Sequence, residues 1–152
     1  METIQTIQAI MAPAVMITGV ALLLLTLNAR HSSLVNRIRL LDDENRHLRR
    51  TNELDELEGQ RLKSIANQIG QLRFRLLYVR NGMLCHLLAV IFFVFTSFAI
   101  GLGYLGLPAG PIQGSISATF IVGMLLVLVG VAYLALEVYV SYRIIGIEIS
   151  GD

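Results

Sequence analysis

Positive charge is confined to one stretch of this chain, and the stretch is flanked by long apolar runs. Of the twelve Lys and Arg residues, eleven lie between Arg30 and Arg80, and the twelfth is Arg143. The apolar runs extend from Ile7 to Leu27, from Met83 to Leu107 and from Ile116 to Tyr142. A helix that crosses a membrane needs about 20 largely apolar residues, and all three runs reach that length. The second and third, at roughly 25 residues, give about 38 Å of helix, so they tilt or project beyond the hydrocarbon. The chain is 15% charged with a mean hydropathy of +0.66, whereas a soluble domain carries roughly 25% charged residues.

The first run is not a typical cleaved leader. It opens with "METIQTIQ", which holds Glu2 and no Lys or Arg, and its positives follow from Arg30. The positive-inside rule places the Arg30–Arg80 segment and the C-terminus in the cytoplasm and the N-terminus outside. The expected organisation is all-α, an integral membrane protein with three transmembrane helices and a cytoplasmic antiparallel helical hairpin. Its parts are a first membrane helix over 1–29, the hairpin over 30–80 and a second membrane helix over 81–107. A short outer loop over 108–115, a third membrane helix over 116–142 and a cytoplasmic tail over 143–152 complete it.

Two heptad seams mark the hairpin. Leu34, Ile38, Leu41, Asn45 and Leu48 form one; Leu62, Ile65, Ile69, Leu72, Leu76 and Val79 form the other. Between them "TNELDELEG" carries Asn52 and Gly59, residues that end or start helices. The seams fit pairing within one chain or between subunits equally well, and both bury the same residues. Asn45 on a seam sets register or oligomer state, or lies half-exposed in a short hairpin. Arg30, Arg37, Arg39, Arg73, Arg75 and Arg80 lie on the membrane side of the segment and the acids near its far end. Such a collar attracts anionic lipid headgroups and also follows from topology alone. Only Phe74 and Tyr78 interleave with the positives, so no nucleic-acid reader is expected.

Chemistry-bearing motifs are scarce. "GLGYLG" at 101–106 has the glycine spacing of a dinucleotide loop, but it lies at the end of an apolar run rather than between a strand and a helix. Cys85 is the sole cysteine and its neighbour His86 cannot share a metal with it from one helix face; His31 and His47 belong to no convergent ligand set. No serine lies in a GxSxG or SxxK setting. The reading is non-enzymatic, with no catalytic residue, no metal, no cofactor and no small-molecule substrate. Pro13 marks a helix kink in the first run, or the first turn of a helix that starts late.

Glu137 is the one charge inside the third run. An acid within a membrane helix costs at least ~2.5 kcal/mol, so it is expected to face the bundle with a partner. Counting inward from Arg143 and from Arg80 puts Glu137 level with His86. The expected intramembrane polar cluster is therefore Glu137 with His86, Arg30 or Arg80. The competing reading is an interfacial acid that reaches the headgroup zone.

The stretches "MAPAVMITGVALLLLTLNAR", "NARHSSLVNRIR", "QLRFRLLYVRN" and "LEVYVS" together resemble a family of uncharacterised bacterial membrane proteins, domain of unknown function 2721. The resemblance covers nearly the whole chain. It implies three membrane helices with a cytoplasmic helical segment, brings no activity, and adds weight to Pro13, Arg30, Arg37, Arg39 and Glu137. The expected protein is a multi-pass component of the bacterial inner membrane, a homo-oligomeric assembly or interaction element with membrane lipids as its surroundings. The alternative is an oligomeric small ion channel or transport subunit, in which Glu137 or Thr96 and Ser97 face a central path.

Overall fold

The structure is a computed structural model that describes residues 2–50, 56–104 and 109–149, with side chains at 8, 11–49, 57–103 and 114–142. Three helices make up these residues: α1 is Glu2–Arg50, α2 is Glu56–Tyr104 and α3 is Ala109–Ile149. All three are long and apolar enough to cross a membrane. The 49 residues of α1 and of α2 each span about 74 Å, more than twice the hydrocarbon thickness. Neither breaks at the change from apolar to charged sequence. A helix satisfies its own backbone in either medium, and no proline stands at either boundary.

The element ends differ from the expected ones. The outer loop expected over 108–115 is helical from Ala109, and the tail expected over 143–152 is helical through Ile149. Pro111 does not prevent this, because an N–H in the first turn of a helix has no intrahelical acceptor to lose. After Arg143 the sequence "IIGIEI" holds no proline to stop the helix. At the other end of the molecule α1 is helical on both sides of Pro13, whose side chain is fully buried.

Burial follows a seven-residue rule. On α1 the buried residues are Pro13, Val20, Leu27 and Leu34, and on α3 they are Gly123, Gly130 and Glu137, among the described side chains. α2 carries two such rows: Ile65, Leu72, Val79, His86 and Phe93, and beside it Gly82, Ala89 and Thr96. One row on each outer helix and two on α2 make α2 the central helix. It packs along both neighbours, while α1 and α3 meet only weakly. A strict seven-residue period keeps a seam facing its partner only with a left-handed supercoil.

The three helices alternate in direction. Val20 clusters with Ala89 and Phe93, Leu27 and Leu34 cluster with Leu72 and Val79, and Glu44 pairs with Arg61. Ascending α1 therefore descends α2. On the other side Phe120 packs tilted against Phe93 at 5.6 Å between centroids, and Tyr133 lies 6.4 Å from Tyr78. Two hydrophobic clusters result. One gathers Ile38, Leu41, Leu76, Met83 and Leu134 around Leu27 and Val79; the other gathers Phe120, Leu126 and Val127 around Phe93.

The seam residues lie where α1 and α2 face each other in the charged segment. Leu34, Ile65 and Leu72 are buried; Ile38, Leu41, Asn45, Leu48, Leu62 and Ile69 are half-buried. Asn45 Oδ1 accepts from Arg49 Nε at 2.9 Å within its own helix. Arg61 grips Glu44 Oε1 through Nε at 2.8 Å and Nη2 at 2.6 Å, which joins the far ends of α1 and α2. Arg46 Nη2 donates to Asp42 at 2.6 Å, and that carboxylate holds the exposed guanidinium above its ordinary pKa.

The α2–α3 seam depends on missing side chains. In lipid there is no hydrophobic gain from bringing apolar helices together, so close approach and contact shape decide. A Cβ on Gly123 would stand 2.8 Å from Phe93 Cε1, and a Cβ on Gly130 would enter the His86 ring and lie 3.3 Å from the Gly82 carbonyl oxygen. Gly130→Ala is therefore expected to destabilise the protein by about 1–3 kcal/mol through overpacking. Gly19→Ala, where nothing lies within 4 Å, is expected to be neutral or slightly stabilising. Thermal unfolding of the purified protein in mild detergent checks both. Adding His86→Ala to Gly130→Ala is expected to recover part of the loss.

Candidate functional site

Among the described residues three polar side chains are buried: His86, Thr96 and Glu137. Two of them bond within their own helix. Thr96 Oγ1 donates to the Phe92 carbonyl at 2.8 Å, as Thr18, Thr26 and Thr119 do to carbonyls one turn back in their own helices. This hides a hydroxyl in apolar surroundings at little cost. His86 Nδ1 lies 2.7 Å from the Gly82 carbonyl oxygen and donates to it, since a carbonyl can only accept. Its Nε2 is buried without a hydrogen-bond partner.

Glu137 is the exception, for it bonds across the fold. Arg30 Nη1 on α1 donates to Oε2 at 3.1 Å. Arg75 on α2 donates to Oε1 through Nε at 3.1 Å and Nη2 at 2.8 Å. Ser141 Oγ, one turn on in α3, donates to Oε1 at 3.3 Å. One carboxylate on α3 thus joins all three helices, and its bond to Arg30 links the two that otherwise hardly meet. Its side chain is 3% exposed, while those of Arg30 and Arg75 are 48% and 29% exposed.

The energetics follow from that asymmetry. A buried unpaired carboxylate would cost several kcal/mol, and charge-assisted hydrogen bonds of this kind return about 1.5–3 kcal/mol each in sheltered sites. Arg30, half open to its surroundings, returns less through screening. Arg75 makes two bonds and is the better covered, so it is the stronger holder of Glu137.

This placement differs from the expected cluster in two members. His86 does not meet Glu137. It packs at Gly130, seven residues and about 10 Å along α3 from the carboxylate. Arg80 is exposed and takes no part; it lies five residues past Arg75, about 140° around α2. The depth count assumed that Arg143 and Arg80 mark one level. In the folded chain Glu137 is level with Arg75, so α3 lies further towards the charged end than that count allowed. Arg75 was the residue overlooked. The signal for it was a second α2 row, Arg75, Gly82, Ala89 and Thr96, which repeats every seven residues as the α3 row Gly123, Gly130 and Glu137 does.

Among the described residues no group of three His, Cys, Asp or Glu side chains converges on a metal position. The arrangement at Glu137 holds helices by charge. Glu137→Gln is expected to destabilise the fold by about 1–3 kcal/mol, because two guanidiniums then share a neutral amide. Arg75→Gln is expected to cost more than Arg30→Gln, in keeping with its two bonds and lower exposure. Equal losses at the two arginines, measured by chemical unfolding in detergent, would contradict this account of the tie.

No curated protein and no solved structure matches the chain. One family model does, that of a protein of unknown function, DUF2721, and it matches residues 10–147. The match takes in the buried rows of all three helices and every member of the Arg30–Arg75–Glu137 tie. The chain belongs to the DUF2721 family of proteins of unknown function.

Proposed function

We propose that the protein is a non-enzymatic, multi-pass component of the bacterial inner membrane that works as an oligomeric assembly or interaction element. Its N-terminus lies outside, and the charged halves of α1 and α2 lie in the cytoplasm as a helical hairpin with the C-terminus beside them. The observation that carries this reading is the state of Glu137: its carboxylate is consumed by contacts within the chain, as suits a structural tie. The buried Thr96 and the exposed Thr18, Thr26 and Thr119 likewise bond carbonyls one turn back in their own helices.

Two features support association. Only 11% of the most apolar stretch of α3 is buried inside the molecule, so that helix offers long apolar surface to lipid or to another subunit. Leu40 and Leu57, in the charged segment, are 71% and 74% exposed, although acyl chains do not reach that far from the apolar runs.

Native mass spectrometry from lipid nanodiscs tests the reading. More than one chain per particle is expected, and Glu137→Gln is expected to reduce folding and assembly together. A strictly monomeric wild-type protein would overturn the assembly role. Ion flux into proteoliposomes that changes selectivity in Glu137→Gln while assembly persists would replace it with conduction.

A further inference from the structure

Six arginines and one carboxylate lie in the segments of the three helices that meet near Glu137. In segments 28–39, 70–83 and 130–142 the cations are Arg30, Arg37, Arg39, Arg73, Arg75 and Arg80, and the acid is Glu137. Arg37, Arg39, Arg73 and Arg80 are exposed and make no ion pair among the described residues. The Glu137 tie itself carries two guanidiniums for one carboxylate, a residual charge of +1.

That excess has an open edge. Arg30 engages Glu137 through Nη1 alone, and its Nη2 and Nε carry no hydrogen bond among the described residues. Its side chain is half exposed while its charge is anchored. A guanidinium fixed at one corner by a buried carboxylate presents its other N–H groups in a set direction, and that geometry matches the paired oxygens of a phosphate.

The level of the site identifies the source of the phosphate. Tyr139 and Tyr142 are 67% and 75% exposed and flank Glu137 and Ser141 on α3; Phe74, 67% exposed, neighbours Arg75 on α2. Exposed aromatic side chains where apolar runs give way to arginine mark the headgroup layer. We infer that Arg30, held by Glu137 and backed by Arg75, binds the phosphate of an acidic phospholipid as a defined site. This rests on the membrane reading above and goes beyond a diffuse attraction of the arginine collar.

Arg39 provides the control. It lies nine residues after Arg30, about 180° around α1, and its removal subtracts the same charge. The test is retention of phosphatidylglycerol against phosphatidylcholine on the intact protein, by native mass spectrometry from mixed micelles, in wild type, Arg30→Gln, Arg30→Lys and Arg39→Gln. Wild type is expected to keep an acidic lipid. Arg30→Gln is expected to lose about ten-fold or more in retention, as fits a lost charge-assisted pair, and Arg39→Gln about five-fold or less. Arg30→Lys, which keeps the charge and a folded tie but not the fork, is expected to fall between them. Equal losses in Arg30→Gln and Arg39→Gln would overturn the site in favour of diffuse attraction. Binding of inorganic phosphate that depends on Arg30 with no acidic lipid retained would overturn the lipid assignment. Circular dichroism of each variant separates lost binding from lost fold. Oligomerisation in nanodiscs is read on the wild-type protein independently of lipid retention, so failure of the site is distinct from failure of the assembly role.

Discussion

Apolar helices gain nothing from one another in hydrocarbon that lipid tails do not already supply. What holds three such helices in one arrangement must then be contact shape and a few polar bonds. The seven-residue rows are the geometric answer. α1 offers one row, α3 offers one, and α2 offers two, so α2 has to lie between them. The rows differ in kind. The α1 row is aliphatic around Leu27 and Leu34 and meets Leu72 and Val79. The α3 row begins with two glycines, which admit the rings of Phe93 and His86.

Glu137 continues the α3 row by one more step of seven residues, where the packing gives way to charge. The same helix face that brings α3 against α2 with glycines therefore delivers a carboxylate to Arg75. Arg30 reaches it from the other side of α2. The tie compensates for the weak direct contact of α1 with α3, and it puts the ionic contact at the end of the apolar stretch, where both arginines are partly exposed. Further along, α1 and α2 continue together through the leucine seam and the Glu44–Arg61 pair.

Much of this was legible in the residues. The three apolar runs, the confinement of charge and the leucine seams each rest on a local pattern. The role of Glu137 as an inward acid followed from the cost of leaving it in lipid, and Arg30 was among its expected partners. Arg75 was not, because a count of residues inward from Arg143 and Arg80 puts Glu137 level with His86, eleven residues further along α2. The α3 face of the same helix is marked by glycine, alanine and threonine, which carry little weight in a hydropathy pattern. His86 was matched to Glu137 by depth alone, yet it is held by a carbonyl of its own helix and by the gap that Gly130 leaves.

The sequence by itself determined that there are three long helices, where their apolar lengths lie and which positions repeat every seven residues, because these depend on neighbours within a few turns. Only the tertiary structure decided the axial offset between α2 and α3, and with it the partner of Glu137. That offset depends on how Gly123, Gly130 and Gly82 let two backbones approach around Phe93 and His86. A shift of about three turns along a helix costs nothing in hydropathy, but it replaces His86 with Arg75 opposite the carboxylate. Contact shape across the α2–α3 seam selects between those alternatives.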